Sequence, residues 1–331
     1  MTPSTEVTSQ SSTPHLLRQG LRIIADEQLS NGEIPNYQCM PDESWQYCFS
    51  PLISTYMYDE LSCFDPLSGR FEPYAVERSE KVRRSLFLRS VARIRQKIRR
   101  FLAWQESSTG CWRFFGQGSG LPPDLDLTAC AATVLIDPNN SPLSPATERR
   151  ILDLERFRTP DGIFRSVGSR DEGHPSPVLF WIANCNALRY LALAGGETEV
   201  LESAILDALT SGVAAMDGAL PLHYAAARAW RHGMLGSRST LASCLLPLAL
   251  EQSHSSKGPL SAALTVLVLT DLGAPEPEID SAVLKLLAWW DSPLNRKFET
   301  FCTSLCGSPA LTAAFTMAAV ARGRTSSAVL P

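Results

Sequence analysis

Six times along this chain a proline stands at the mouth of an apolar stretch rich in small residues, at Pro51, Pro123, Pro177, Pro221, Pro259 and Pro309. Proline suits the first turn of a helix, because its missing N–H would have no partner there anyway. Before each proline lies a stretch of another kind: residues 15–28, 78–105, 146–157, 197–211, 238–253 and 278–290 carry charge on one face and aliphatics on the other. That is the pattern of one-sided surface helices. Strand signals are hard to find, since alternating runs are short and Ala, Leu, Arg and Glu dominate. Six outer helices alternating with six inner ones predict an all-α fold, a single (α/α)6 barrel. Small residues on the inner helices let the ring close.

The repeat has a second mark. Between outer and inner helix a glycine is followed two places on by an apolar residue: Gly32 and Ile34, Gly110 and Trp112, Gly162 and Phe164, Gly218 and Leu220, Gly258 and Leu260. Glycine there supplies the positive φ that ends a helix, and the apolar residue tucks the turn into the core. The sixth unit, around Asn295 to Phe298, lacks the glycine. The spacers from glycine to proline are 19, 13 and 15 residues in the first three units, then 3 and 1. Long early loops should therefore crowd one rim, at the N-terminal ends of the inner helices. Residues 1–13 are polar and are read as a disordered lead to one barrel domain over 14–331.

With 44% hydrophobic and 19% charged residues, the chain can bury a large core. A net charge of −4 gives no overall basic footprint for nucleic acid. The one basic run, Arg83 to Arg100, is interleaved with aliphatics at helical spacing and reads as a solvated outer face. Nine scattered cysteines, without a signal peptide, predict reduced thiols and a cytoplasmic protein; Cys302 and Cys306 read as packing, not half of a zinc site. No apolar run reaches the ~20 residues that span a bilayer.

Asp124 and Asp126 open the second inner helix. Two positions apart is about 200° around a helix, so one faces the lumen while the other caps or braces the helix start. Several segments carry a resemblance. Gln105 to Trp112 resembles the Q-x3-G-x-W repeat of squalene-hopene cyclases, one residue longer, and Gln28 to Ile34 matches its spacing with Ile in place of Trp. Asp124-Leu125-Asp126-Leu127-Thr128-Ala129 resembles the D-x-D-D-T-A motif of class II terpene cyclases, with Leu127 in place of the third acid. Asn184 and Asn186 stand in a segment similar to the N-x-N-x-L inner helix of bacterial monodomain members, the merosterolic acid synthase type. The resemblance implies that Asp126 is a general acid that starts cyclisation of a linear polyprenyl substrate, a prenylated aromatic acid, to a fused polycyclic meroterpenoid.

The residues support that chemistry on physical grounds. Burial and a neighbouring carboxylate keep an acid protonated, while a helix N-terminus and a hydrogen-bond donor stabilise its anion. The donor is Asn184 or Asn186, with Asn184 favoured. Aromatic faces stabilise a carbocation without attacking it; candidates are Trp45, Tyr47, Tyr56, Trp112, Phe115, Phe180, Trp181 and Trp230. His223 orients the acid, takes the last proton, or is a satisfied core histidine. His174, beside Asp171 and Glu172, reads as a rim salt bridge, and Arg165 and Arg170 either meet a substrate carboxylate or are plain surface. No DDxxD run holds magnesium, Asp59-Glu60 with Asp65 being a poor substitute, and neither metal nor cofactor is expected. Two other readings stay open, a carbohydrate-active (α/α)6 enzyme with paired acids and a non-catalytic lipid-binding or interaction barrel. A greasy substrate implies peripheral membrane contact, but no amphipathic anchor stands out. Oligomeric state is left open.

Overall fold

The computed structural model describes residues 13–40, 42, 44–65, 78–136, 144–165, 176–231, 238–291 and 306–327. Among them are twelve α-helices that alternate as the sequence pattern requires. The outer set is α1 (Thr13–Glu27), α3 (Arg78–Trp104), α5 (Pro145–Glu155), α7 (Glu199–Thr210), α9 (Arg238–Ser255) and α11 (Glu276–Trp290). The inner set is α2 (Leu52–Glu60), α4 (Leu125–Leu135), α6 (Pro177–Ala194), α8 (Leu220–Arg231), α10 (Pro259–Leu272) and α12 (Pro309–Ser327). Each inner helix packs on the next, and α12 packs back on α2, so the inner ring is closed. The outer helices lie in the grooves behind it: α1 against α12 and α3, α5 against α4 and α6, α9 against α8 and α10.

Burial follows the two layers. On α8 every residue from Pro221 to Trp230 is buried, as a helix flanked on all sides must be, whereas α1 buries only Leu16, Leu17, Gly20 and Ile24. The apolar residues after the glycines, Ile34, Trp112, Phe164 and Leu260, are also buried. At Gly32 φ is 96°, and a Cβ there would stand 2.3 Å from the Lys97 carbonyl oxygen, so the turn admits only glycine against α3. Gly258 departs from the expectation of positive φ. It is extended at φ 178° as the residue before α10, where proline follows at once and no reversal is needed.

The all-α fold carries one small sheet that the sequence pattern does not signal. Asn36–Cys39 (β1) pairs antiparallel with Trp45–Cys48 (β2), and Cys306–Gly307 (β3) adds on the other side of β1. The strands are too short for alternation to register, and they clasp the first unit to the last where the ring closes. Residues 1–12, the segment Asn295 to Phe298, Cys302, Arg170, Asp171, Glu172 and His174 lie outside the described residues, and Thr13 of the expected lead belongs to α1. All described cysteines that can be assigned are free thiols. No described helix is long and apolar enough to cross a membrane.

Candidate active site

The entry to α4 is built by its own capping. Asp124 is extended, and its Oδ1 accepts the Leu127 N–H at 2.7 Å. Its own N–H donates to the Trp112 carbonyl at 2.8 Å, while the Trp112 N–H donates to Thr128 Oγ1 at 3.1 Å. The glycine turn at Gly110 is thus laced to the first turn of α4. That sets the rotation of the helix and sends Asp126 to the opposite side from Asp124. Asp126 keeps some accessible surface, as do Leu179, Phe180 and Trp181 on the first turn of α6, while the helices below them are closed.

Asp126 meets two donors. Asn186 Nδ2 lies 2.5 Å from its Oδ1, and the Cys130 thiol, one turn further along α4, lies 3.8 Å from the same oxygen. Burial pushes the Cys130 thiol up to about 12, so it stays protonated and donates. With both donors on Oδ1, the neutral acid carries its proton on Oδ2. Burial also raises the Asp126 carboxyl, against the hydrogen bond from Asn186, the positive charge of Arg228 and the thiol, which lower it. Asp124 is pushed up to about 7, first by burial and then by the Asp126 charge, with the Leu127 N–H opposing.

The amide of Asn186 cannot turn over. Its Oδ1 accepts from Arg228 Nη2 at 2.5 Å, and its Nδ2 also donates to the Tyr56 hydroxyl at 3.0 Å. A flipped amide would set N–H against a guanidinium that has no acceptor. Arg228 in turn lies 4.5 Å above the Tyr56 ring and 5.2 Å from the Tyr224 ring, with Asp59 Oδ2 3.5 Å from its Nη1. Burial disfavours the charge on Arg228, but its neighbours, Tyr224 and Asp59 first, outweigh that and hold its pKa well above the usual arginine value.

Below it the inner helices close the ring floor with ions. Asp59 also binds Arg189 and Arg231, Glu60 binds Arg322 at 2.8 Å and accepts from the Tyr224 hydroxyl at 2.5 Å, and Asp271 binds Arg231 at 3.0 Å. Arg189, Arg228, Arg231 and Arg322 all stand toward the C-terminal ends of their helices, where cations answer the helix dipole.

The other sequence candidates are placed as follows. Asn184, the favoured donor, points away from Asp126; its amide spans the backbone N–H and C=O of Phe164 at 2.9 and 3.1 Å, locking the third glycine turn. Trp112 is fully buried, and its ring N–H donates to the Leu102 carbonyl at 2.8 Å, so it ties α3 to the turn and does not face the acid. His223 is buried with Nε2 2.7 Å from the Ala214 carbonyl. Trp45 and Tyr47 sit on β2 at the rim, Tyr47 donating to Glu33 at 2.6 Å. Phe115 is exposed on the rim loop, Phe180 and Trp181 meet edge-on at 5.1 Å, and Trp230 is buried on α8. Arg165 is exposed. Asp59 and Glu60 are committed to arginines. Arg228, Cys130, Tyr224 and the floor ions were not singled out from the sequence as site residues; the signal was a charge in each of several otherwise uncharged apolar helices.

No family model matches the sequence, and no curated protein matches it. Solved structures do match. Type II terpene cyclase MstE from Scytonema, in its apo form, superimposes with a TM-score of 0.58 over 96% of this chain and 99% of that one, at 12% identity. A substituted form of MstE in complex with geranylgeranyl dihydroxybenzoate (substrate) gives a TM-score of 0.60 over 94% and 97%, at 11% identity. The fold is that of a type II terpene cyclase. Leu127, next to Asp126 in the first turn of α4, is fully buried, and the hydrogen bonds on Asp126 come from Asn186 and Cys130.

Proposed function

We propose that this chain is a protonation-initiated, class II terpene cyclase that folds a linear prenylated aromatic acid into a fused polycycle. The observation that carries the reading is Asp126: a desolvated carboxyl at the mouth of an apolar ring, with both donors on one oxygen. Asp126 gives the proton on Oδ2 to the terminal alkene, whose π pair forms the new C–H bond while the O–H pair stays on the carboxylate. The tertiary cation is attacked by the next alkene, ring by ring. Loss of a proton from the last cation regenerates an alkene, so the product is an isomer of the substrate.

Asn186 and Cys130 stabilise the Oδ1 side of the anion as it forms, and the charge of Arg228 acts on it through Asn186. Phe180 and Trp181 offer π faces beside the mouth. Asp124, capping α4 through the Leu127 N–H, braces the helix start that holds Asp126 in place. The likeness to structures that hold geranylgeranyl dihydroxybenzoate supports the prenylated aromatic class of substrate. The paired-acid alternative lacks support, since Asp59 and Glu60 are each bound to arginine. A substrate of this kind dissolves in lipid, so peripheral membrane contact belongs to the same reading. Incubation with geranylgeranyl dihydroxybenzoate tests it: wild type yields an isomer with fewer double bonds and Asp126→Asn yields none, whereas equal product from both would remove Asp126 from the mechanism.

A further inference from the structure

The helix that least resembles its neighbours is α3. It carries ten basic residues and one acidic residue in a chain whose net charge is −4. Some of these cations are used inside the fold: Arg95 pairs with Asp65 at 3.0 Å, and Arg99 donates to the Leu135 carbonyl at 3.3 Å. Arg89, Arg93 and Arg100 are exposed and bind nothing among the described residues. Together with Leu86, Gln96 and Trp104 they follow one another at intervals of three or four, so all six lie on a single stripe. The stripe is about 27 Å long at the rise of an α-helix.

Both ends of this cationic seam are apolar. Leu86 is 57% exposed and Trp104 is 68% exposed. Trp104 adjoins the rim loop, because the Gln117 side chain reaches back to the Trp104 carbonyl at 3.2 Å; that loop presents Phe115 at 42% and Leu121 at 44% exposure. Beside the seam lies an open cleft of about 440 Å³ lined by Gln96, Arg99, Arg100, Ala103, Leu135 and Arg150. Arg150 is held there by Glu106 at 2.8 Å, which leaves Arg100 as the cation facing the opening.

We infer that this face of α3 docks on the surface of an anionic phospholipid bilayer. Cations at the headgroup level, with Trp and Leu reaching into the acyl boundary, are what an interfacial helix presents. Nucleic acid would use the cations but not the exposed Trp104, Phe115 and Leu121. The outer and inner helices run antiparallel, so the Trp104 end of α3 stands at the rim that holds Asp126. A bilayer lying along the stripe therefore reaches the barrel mouth. The inference deepens the cyclase reading by saying where the lipid substrate comes from, but its test does not depend on catalysis.

The test is co-sedimentation of the full chain with vesicles of phosphatidylcholine alone and of phosphatidylcholine mixed with phosphatidylserine. Wild type partitions onto the anionic vesicles and is released by high salt. The combined variant Arg89→Glu, Arg93→Glu, Arg100→Glu partitions roughly 100-fold less or weaker still, and Trp104→Ser weakens binding without changing its salt dependence. Should the charge-reversed variant misfold, the same three positions changed to Gln serve instead. Equal binding to neutral and anionic vesicles, wild-type binding by the triple variant, or tighter binding to a DNA duplex than to anionic vesicles overturns the inference. Cyclisation of detergent-dispersed substrate by the triple variant stays at the wild-type level, so failure of the docking site and failure of the cyclase reading are separate results.

Discussion

Replacing Asn186 with leucine separates chemistry from folding. Leucine keeps the branched shape, though it is bulkier, and removes the donor 2.5 Å from Asp126 Oδ1 and the acceptor for Arg228. A hydrogen bond to a charged group contributes about 2 kcal/mol. The anion develops only as the proton leaves, so that loss falls on the transition state and corresponds to roughly a 30-fold drop in kcat with KM unchanged. Asn186 lowers the Asp126 pKa, so its loss raises that pKa further and moves the alkaline limb of the kcat profile upward. Stopped or single-turnover conversion of geranylgeranyl dihydroxybenzoate across pH reads both effects. Asn184→Leu is the control: it releases the Phe164 backbone and lowers Tm, yet leaves kcat per folded molecule and the limb in place. Wild-type kcat and an unmoved limb in Asn186→Leu, or the kinetic defect appearing in Asn184→Leu instead, refutes the assignment.

Other consequences follow from the same geometry. Asp124 is pushed from 3.8 to about 7 on folding, so the folded chain holds a proton that the unfolded chain has lost, and stability declines as pH rises through that window. Denaturant melts of wild type against Asp124→Asn, which keeps the cap, should diverge over that range by at most about 4 kcal/mol; a difference independent of pH contradicts the shift. Arg228→Met leaves Asn186 without a donor and Asp59 one cation short, and is expected to cost about 3 kcal/mol in the same melts; a neutral effect would mean that the floor ions do not hold the ring. Gly32→Ala meets both a positive φ and the Lys97 carbonyl and should cost more than about 2 kcal/mol, read as a fall in Tm.

The ring itself was legible because two independent signals agree at each unit, proline at the inner-helix entry and one-sided burial on the outer helix. The sheet was not, since a two-residue strand such as β3 exists only through its partner. The choice between Asn184 and Asn186 shows where local pattern stops. The two stand about 200° apart on α6, so one had to face outward, and which one depends on a rotation set by the Phe164 turn and by α4 and α8. Cys130 was within reach of sequence reasoning, one turn from Asp126 on the same face. Arg228 was signalled only indirectly. A charge in an alanine-rich inner helix requires a buried partner, but the identity of that partner, Asp59 on a distant helix, is tertiary information.

The most direct test is to run the reaction in deuterium oxide. If Asp126 supplies the initiating proton, the product from geranylgeranyl dihydroxybenzoate retains one deuteron, at the ring methylene next to the gem-dimethyl carbon, and Asp126→Asn forms neither product nor label. Product formed without that deuteron, or labelled product from Asp126→Asn, contradicts the account at its centre.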